Sequence, residues 1–201
     1  MEGNIEHIIK HFLNQIIIDL GTMVYQYLWA SVLITLLIFV FINYSKKSNA
    51  VIVLKELFDS IRSIEGFKKF ISVLYLVFLL QRTIFNRGPW GNPLSNPVGD
   101  WFLLLDKNTL NFEIIDNLIL FIPLNMVLNW LNISWFPTKI SFGYNAMVSF
   151  ALSCSIEIFQ LLFRVGTFQL SDLFFNTLGG LIGFFIYKII IFVKNVFTNK
   201  L

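Results

Sequence analysis

Ile5, Ile8, Ile9, Phe12, Leu13, Ile16, Ile17 and Leu20 recur at helical spacing, and Glu6, His7, Lys10, His11, Asn14, Gln15 and Asp19 fill the opposite face. The pattern predicts an amphipathic helix over residues 5–20 that lies in a membrane interface. From Val24 the polar face disappears. A first crossing is predicted over about Val24–Asn43, since a helix needs about 20 apolar residues to cross hydrocarbon. Val51 to Ile64 has partial helical periodicity and reads as a second surface helix. Further crossings are predicted at about Phe67–Phe85, Asp116–Leu131, Phe142–Phe163 and Leu173–Val193. A loop rich in Gly, Pro and Asn separates the second crossing from the third, with Trp90 and Trp101 as interface anchors.

Composition agrees with this pattern. Of 201 residues, 56% are hydrophobic and 13% charged, where a soluble domain carries about a quarter charged residues. The fold class is therefore all-α: a polytopic transmembrane helical bundle of about five crossings with an interfacial N-terminal helix. The single cysteine, Cys154, excludes an intramolecular disulfide and a cysteine metal cage. His7 and His11 stand four apart, as metal pairs do, but no third ligand accompanies them. A solvated polar face is the default reading, and no metal or cofactor is expected. The net charge of +3 is too small to suggest nucleic acid.

The distribution of charge is more informative. With residues 46–69 placed in the cytoplasm, the inner side holds Lys46, Lys47, Lys55, Arg62, Lys68, Lys69, Lys139, Lys188, Lys194 and Lys200. Those ten bases face three acids, a net of +7, whereas the outer side has five bases and nine acids, a net of −4. Basic loops stay inside, so the N-terminus is expected outside and the C-terminus inside.

Polar residues interrupt the apolar runs in register. Asn145, Ser149, Ser153, Glu157, Gln160 and Arg164 follow one another at intervals of three or four and share a helix face. Asp172 and Asn176 stand four apart at the start of the last helix. Asn117, Asn125 and Asn129 share a face of the third crossing, and Arg82 and Arg87 sit at the outer end of the second. Charges are costly in lipid and survive by facing the bundle interior, water or one another. Two readings stand. Asn125, Asn129, Ser149 and Ser153 fit hydrogen-bonded glue between helices. Arg82, Arg87, Asn117, Glu157, Gln160, Arg164, Asp172 and Asn176 form a candidate polar site near the outer face. Asp172 also suits the cap of a helix start. Gly179, Gly180 and Gly183 include the small-xxx-small spacing of closely packed helices, and Pro123 sits inside the third crossing.

The stretch from Glu157 to Gly180 resembles the C-terminal signature of the VanZ-like family: Glu157, Gln160, Arg164, Asp172, then Asn176-Thr177-Leu178-Gly179. Asn117–Leu128 is similar to the family's Asn-x-x-x-Phe-x-Pro element, and Leu79–Arg87 to its first helix. The order holds over roughly residues 68–192. Asn125 stands where the family usually has Gly. Residues 1–66 read as an addition to a four-helix core at 67–201. The resemblance implies a bacterial cytoplasmic-membrane protein, and the family's founding member is associated with teicoplanin resistance.

Three functions fit. The outer cluster could bind an anionic head group, a lipid-linked wall precursor or a lipoglycopeptide, with membrane lipid as the surrounding partner. Alternatively, Glu157 and Asp172 could serve a membrane enzyme as acid and base, although no known catalytic motif is present. A transporter could use Glu157 as a proton relay. The oligomeric state is left open.

Overall fold

The computed structural model describes residues 2–43, 50–85, 87–106, 109–131 and 141–198. Lys46, Lys47, Lys107, Lys139 and Lys200, used in the charge tally, lie outside them. The helices are α1 (Glu2–Asn43), α2 (Ala50–Arg62), α3 (Ile64–Leu80), α4 (Phe112–Trp130), α5 (Phe142–Phe163) and α6 (Leu170–Thr198). A π-helical turn, Gln81–Phe85, continues α3 directly. Strands β1 (Leu104–Asp106) and β2 (Thr109–Leu110) pair antiparallel before α4.

Among the described residues, four helices are each long and apolar enough to cross a membrane by themselves: α1, α4, α5 and α6. The remaining expected crossing is α3 with its π turn, a helical path from Ile64 to Phe85 that spans about 30 Å at the usual helical rise. The chain is a multi-pass helical membrane protein.

The N-terminal expectation changes in one respect. The amphipathic segment and the first crossing form a single uninterrupted helix, Glu2–Asn43. No proline stops the helix between them, and an isolated Gly21 costs only about 1 kcal/mol. The polar face of residues 5–20 therefore continues the axis of the crossing.

Helix α1 packs on α3 through Met23, Tyr27, Ser31, Thr35 and Phe39, all buried and each four residues after the last. Tyr27 meets Phe78 edge-on at 6.1 Å and Phe39 meets Phe70 at 5.4 Å. Ser31 Oγ donates to Gln81 Oε1 at 3.2 Å, tying α1 to the π turn. Ser63 ends the α2–α3 corner by accepting from Gly66 N at 3.0 Å, the usual N-cap geometry.

Helices α4 and α6 form the most extensive pair. A Cβ on Gly179 would fall on the Leu118 carbonyl, and one on Gly183 on the Ile122 carbonyl. The two glycines thus let the backbones touch at two successive turns, which is what the small-xxx-small spacing permits. Pro123 lies within α4 beside this contact, and the helix continues through it. Leu79, Phe121, Leu124 and Ile156 form the apolar core where α3, α4 and α5 meet.

The asparagines act as glue. Asn125 Nδ2 donates to Gly180 O at 2.7 Å and Ser149 Oγ at 3.0 Å, bridging three helices. Asn129 Nδ2 donates to Asn145 Oδ1 at 2.8 Å. Asn176 Nδ2 donates to Ser153 Oγ at 2.9 Å. This arrangement explains Asn125, Ser149 and Ser153 without a ligand and moves Asn176 into the same scaffold.

Candidate functional site

The site lies where the π turn, the start of α4, the end of α5 and the start of α6 converge. Arg82 leaves the π turn and pairs with Asp116 Oδ2 of α4 at 2.5 Å. Asp19 of α1 reaches the same Asp116 carboxyl. One guanidinium thus serves a carboxyl contributed by α4 with a second acid beside it.

Glu157 is 1% exposed, near the end of α5. Its Oε2 accepts from Gln169 N at 2.9 Å, directly before the first turn of α6. The carboxylate therefore occupies the electropositive end of α6, where negative charge is favoured. Asp172, in the first turn of α6 and 3% exposed, has Asn117 beside its carboxyl and Glu157, Glu113 and Arg87 in its electrostatic surroundings. Gln160, also 1% exposed, donates from Nε2 to Thr83 O in the π turn at 2.8 Å.

Arg87 has no ion-pair partner among the described residues. Its guanidinium lies over Gly166, whose φ of 148° disfavours side chains and whose Cβ position would stand 3.0 Å from an Arg87 nitrogen and 3.4 Å from Gln160 Oε1. A larger residue at 166 would displace that guanidinium. Glu157 and Asp172 both feel its positive charge.

Two cavities meet at this arginine. One of about 360 Å³ is lined by Asp19, Arg82, Arg87, Glu113, Asp116 and Asn117, among others. The second, about 440 Å³, lies under the loop and is lined by Arg87, Trp90, Asn96, Glu113, Gly166 and Gln169, among others. Arg87 and Glu113 belong to both and form the wall between them. The Gly/Pro loop roofs the second cavity. Trp90 N donates to Arg164 O at 2.6 Å, Phe168 N to Pro93 O at 2.9 Å, Leu170 N to Pro97 O at 3.0 Å and Ser171 N to Val98 O at 3.2 Å. Trp101 packs on Phe174 at 5.4 Å, which fixes the far end of the roof to α6.

Of the residues expected at the site, Arg82, Arg87, Asn117, Glu157, Gln160 and Asp172 come together. Arg164 does not join them. It takes a left-handed conformation (φ 55°, ψ 41°) at the C-cap of α5, so its side chain leaves the stripe and is exposed. Asp19, Thr83, Glu113, Asp116 and Gln169 belong to the site without having been singled out. Asp116 and Asn117 follow Glu113 by three and four residues on one face of α4, a signal of the kind that marks Glu157.

The VanZ/LLP1 family profile matches residues 22–192, most of the chain. The chain belongs to the VanZ/LLP1 family. The match begins inside α1 and ends inside α6, so it takes in every residue of the site except Asp19. Over 82 residues the chain is 38% identical to Protein VanZ of Enterococcus faecium, covering 39% of this chain and 47% of that protein. The alignment thus spans about half of the relative's length. No solved structure matches the chain.

Proposed function

We propose that this chain is a non-enzymatic protein of the bacterial cytoplasmic membrane, with its N-terminus outside and its C-terminus inside. Its outward-facing polar site binds a lipid-linked or anionic envelope ligand, a wall precursor or a lipoglycopeptide, and through it the protein contributes to teicoplanin resistance. The observation that carries this reading is Arg87: a guanidinium without an ion-pair partner among the described residues, which forms the wall between two polar cavities. Such a group suits a phosphate or carboxylate through two parallel hydrogen bonds. Glu113 and Asp19 beside it supply acceptors for hydroxyl, amide or ammonium groups on the same ligand. Membership of the VanZ/LLP1 family and the basic bias of the inner loops support the role and the orientation.

The enzymatic alternative through Glu157 and Asp172 has less support. Both carboxyls are buried, at 1% and 3% exposure, and neither lines the two cavities. Glu157 is engaged with the start of α6.

The test is resistance. The wild-type chain and Arg87→Gln are expressed at matched membrane levels in a glycopeptide-sensitive Gram-positive host, and teicoplanin and vancomycin susceptibility are measured. The wild type is expected to raise resistance to the lipidated drug selectively, and Arg87→Gln to lose it. An unchanged host with the wild type overturns the resistance role, and equal resistance from both forms overturns the role of Arg87.

A further inference from the structure

One cavity lies apart from the polar site. It is a groove of about 640 Å³ between α1 and the α3–π-turn segment, a volume within the usual range of small-ligand sites, about 300–1,000 Å³. Its α1 wall includes Gln26, Ala30, Ile34 and Ile38, each four residues after the last. This stripe lies next to the one that packs on α3, so it is free for another occupant. Val77 and Leu80 of α3 form the facing wall, and Gln81 and Phe85 of the π turn close one end.

Three features define what fits. Apart from Gln26, Tyr27 and Gln81, the lining of the groove is apolar. From Gln26 to Ile38 it follows three helical turns, about 18 Å along the axis, slightly more than one leaflet of a hydrocarbon core about 30 Å thick. Its polar end is built on the same two elements as the polar cavity, although no residue lines both. Gln81 and Phe85 face the groove, while Arg82 and Thr83 of the same turn face the polar cavity. On α1, Asp19 lines the polar cavity and Gln26, two turns further on, lines the groove. One π turn and one helix therefore wall a polar chamber and a leaflet-length apolar channel in succession.

We infer that the groove holds one acyl chain of the same amphiphile whose polar part occupies the cavity at Arg87. The inference rests on the proposed ligand site and narrows its ligand to a single molecule with a head in the polar chamber and a chain along α1. An ordinary bulk lipid would satisfy the groove alone, because lipid tails gain nothing by leaving lipid. Occupancy that depends on the head is what separates the two cases.

The probe is a lysophosphatidylethanolamine with a photoreactive diazirine at mid-chain, presented to the full-length protein in nanodiscs. Its phosphate suits Arg87 and its ammonium suits Glu113. Cross-linked peptides are mapped by mass spectrometry, with unlabelled lysolipid as competitor. Expected is saturable labelling on the Ala30–Ile38 and Val77–Leu80 segments, lowered about tenfold, or about 1.4 kcal/mol, by Arg87→Gln and also by Ala30→Trp, which fills the groove. Leu33→Trp, on an exposed face of α1 outside the groove, is expected to keep the labelling and so separates filling of the groove from a general effect of a tryptophan on the fold. Labelling that neither saturates nor responds to Arg87→Gln means bulk lipid and overturns the inference. Binding that depends on Arg87 but leaves the groove unlabelled and ignores Ala30→Trp overturns the inference while the polar site stands. Labelling lost with Ala30→Trp but indifferent to Arg87 overturns the single-molecule reading and the polar ligand site together.

Discussion

The side chain of Gln160 in α5 donates to the backbone carbonyl of Thr83 at 2.8 Å, across 77 residues of sequence. That carbonyl belongs to the π turn, which places Arg82 one residue before it and leads into Arg87. The bond therefore couples the end of α5 to the segment that carries both guanidinium groups. Gln160→Leu leaves a buried carbonyl without its donor, at a cost of about 1–3 kcal/mol. A lower melting temperature in detergent is expected, together with reduced function at permissive temperature. Wild-type stability in Gln160→Leu would show that the bond does not hold the turn.

Arg82 and Asp116 form a pair that is best tested by a double-mutant cycle. The pair is partly buried, so removing one partner costs less than the ~3–5 kcal/mol of a fully buried pair, where the other charge is left uncompensated. Arg82→Gln and Asp116→Asn are each expected to destabilise, and the double variant to recover much of the loss. Strict additivity would show that the two side chains do not interact in the membrane.

The α4–α6 contact is sensitive to a single methyl group. Gly183→Ala places a carbon on the Ile122 carbonyl, whereas Gly143→Ala meets nothing within 4 Å. The first change is expected to abolish folded protein in size-exclusion profiles. The second is expected to be neutral or to stabilise by up to about 1 kcal/mol through helix propensity.

Glu157 is held by a hydrogen bond that an amide oxygen could also accept. Glu157→Gln should therefore retain the fold and melt close to wild type, whereas Glu157→Leu strands Gln169 N and is expected to cost about 1–3 kcal/mol. If both variants melt alike, the contact to the start of α6 does not hold the fold.

Orientation can be read with cysteine labelling, since Cys154 is the only cysteine and Cys154→Ser gives a silent background. Asn96 and Lys194 are both exposed. In intact cells Asn96→Cys is expected to react with a membrane-impermeant maleimide, and Lys194→Cys only after permeabilisation. The reverse pattern would invert the topology and put the polar site inside the cell.

Much of this architecture is legible in the chain. The apolar runs locate the helices, and the interval of three to four marks the buried stripe from Asn145 to Gln160. Glycine spacing locates the α4–α6 contact. Spacing along one helix does not say how neighbouring helices are rotated, which is why the partner of Arg82 emerges only in three dimensions. Asp19 reads as part of a solvated face because the continuity of α1 depends on what residues 21–23 fail to interrupt. Arg164 obeys the stripe's arithmetic, yet the helix ends there in a left-handed residue, and the periodicity stops with it.

The roof over the cavity beneath the Gly/Pro loop has its own consequence. It is fastened to the α5–α6 turn by four backbone hydrogen bonds, each with a net worth of about 0.5–1.5 kcal/mol. Lifting it would expose donors and acceptors on both sides at once, so it serves poorly as a door to the aqueous phase. The groove beside α1, by contrast, faces the lipid. If the groove holds the ligand's chain as proposed, the ligand reaches Arg87 by drifting within the plane of the membrane, and how quickly the site fills is governed by surface density rather than by concentration in the medium.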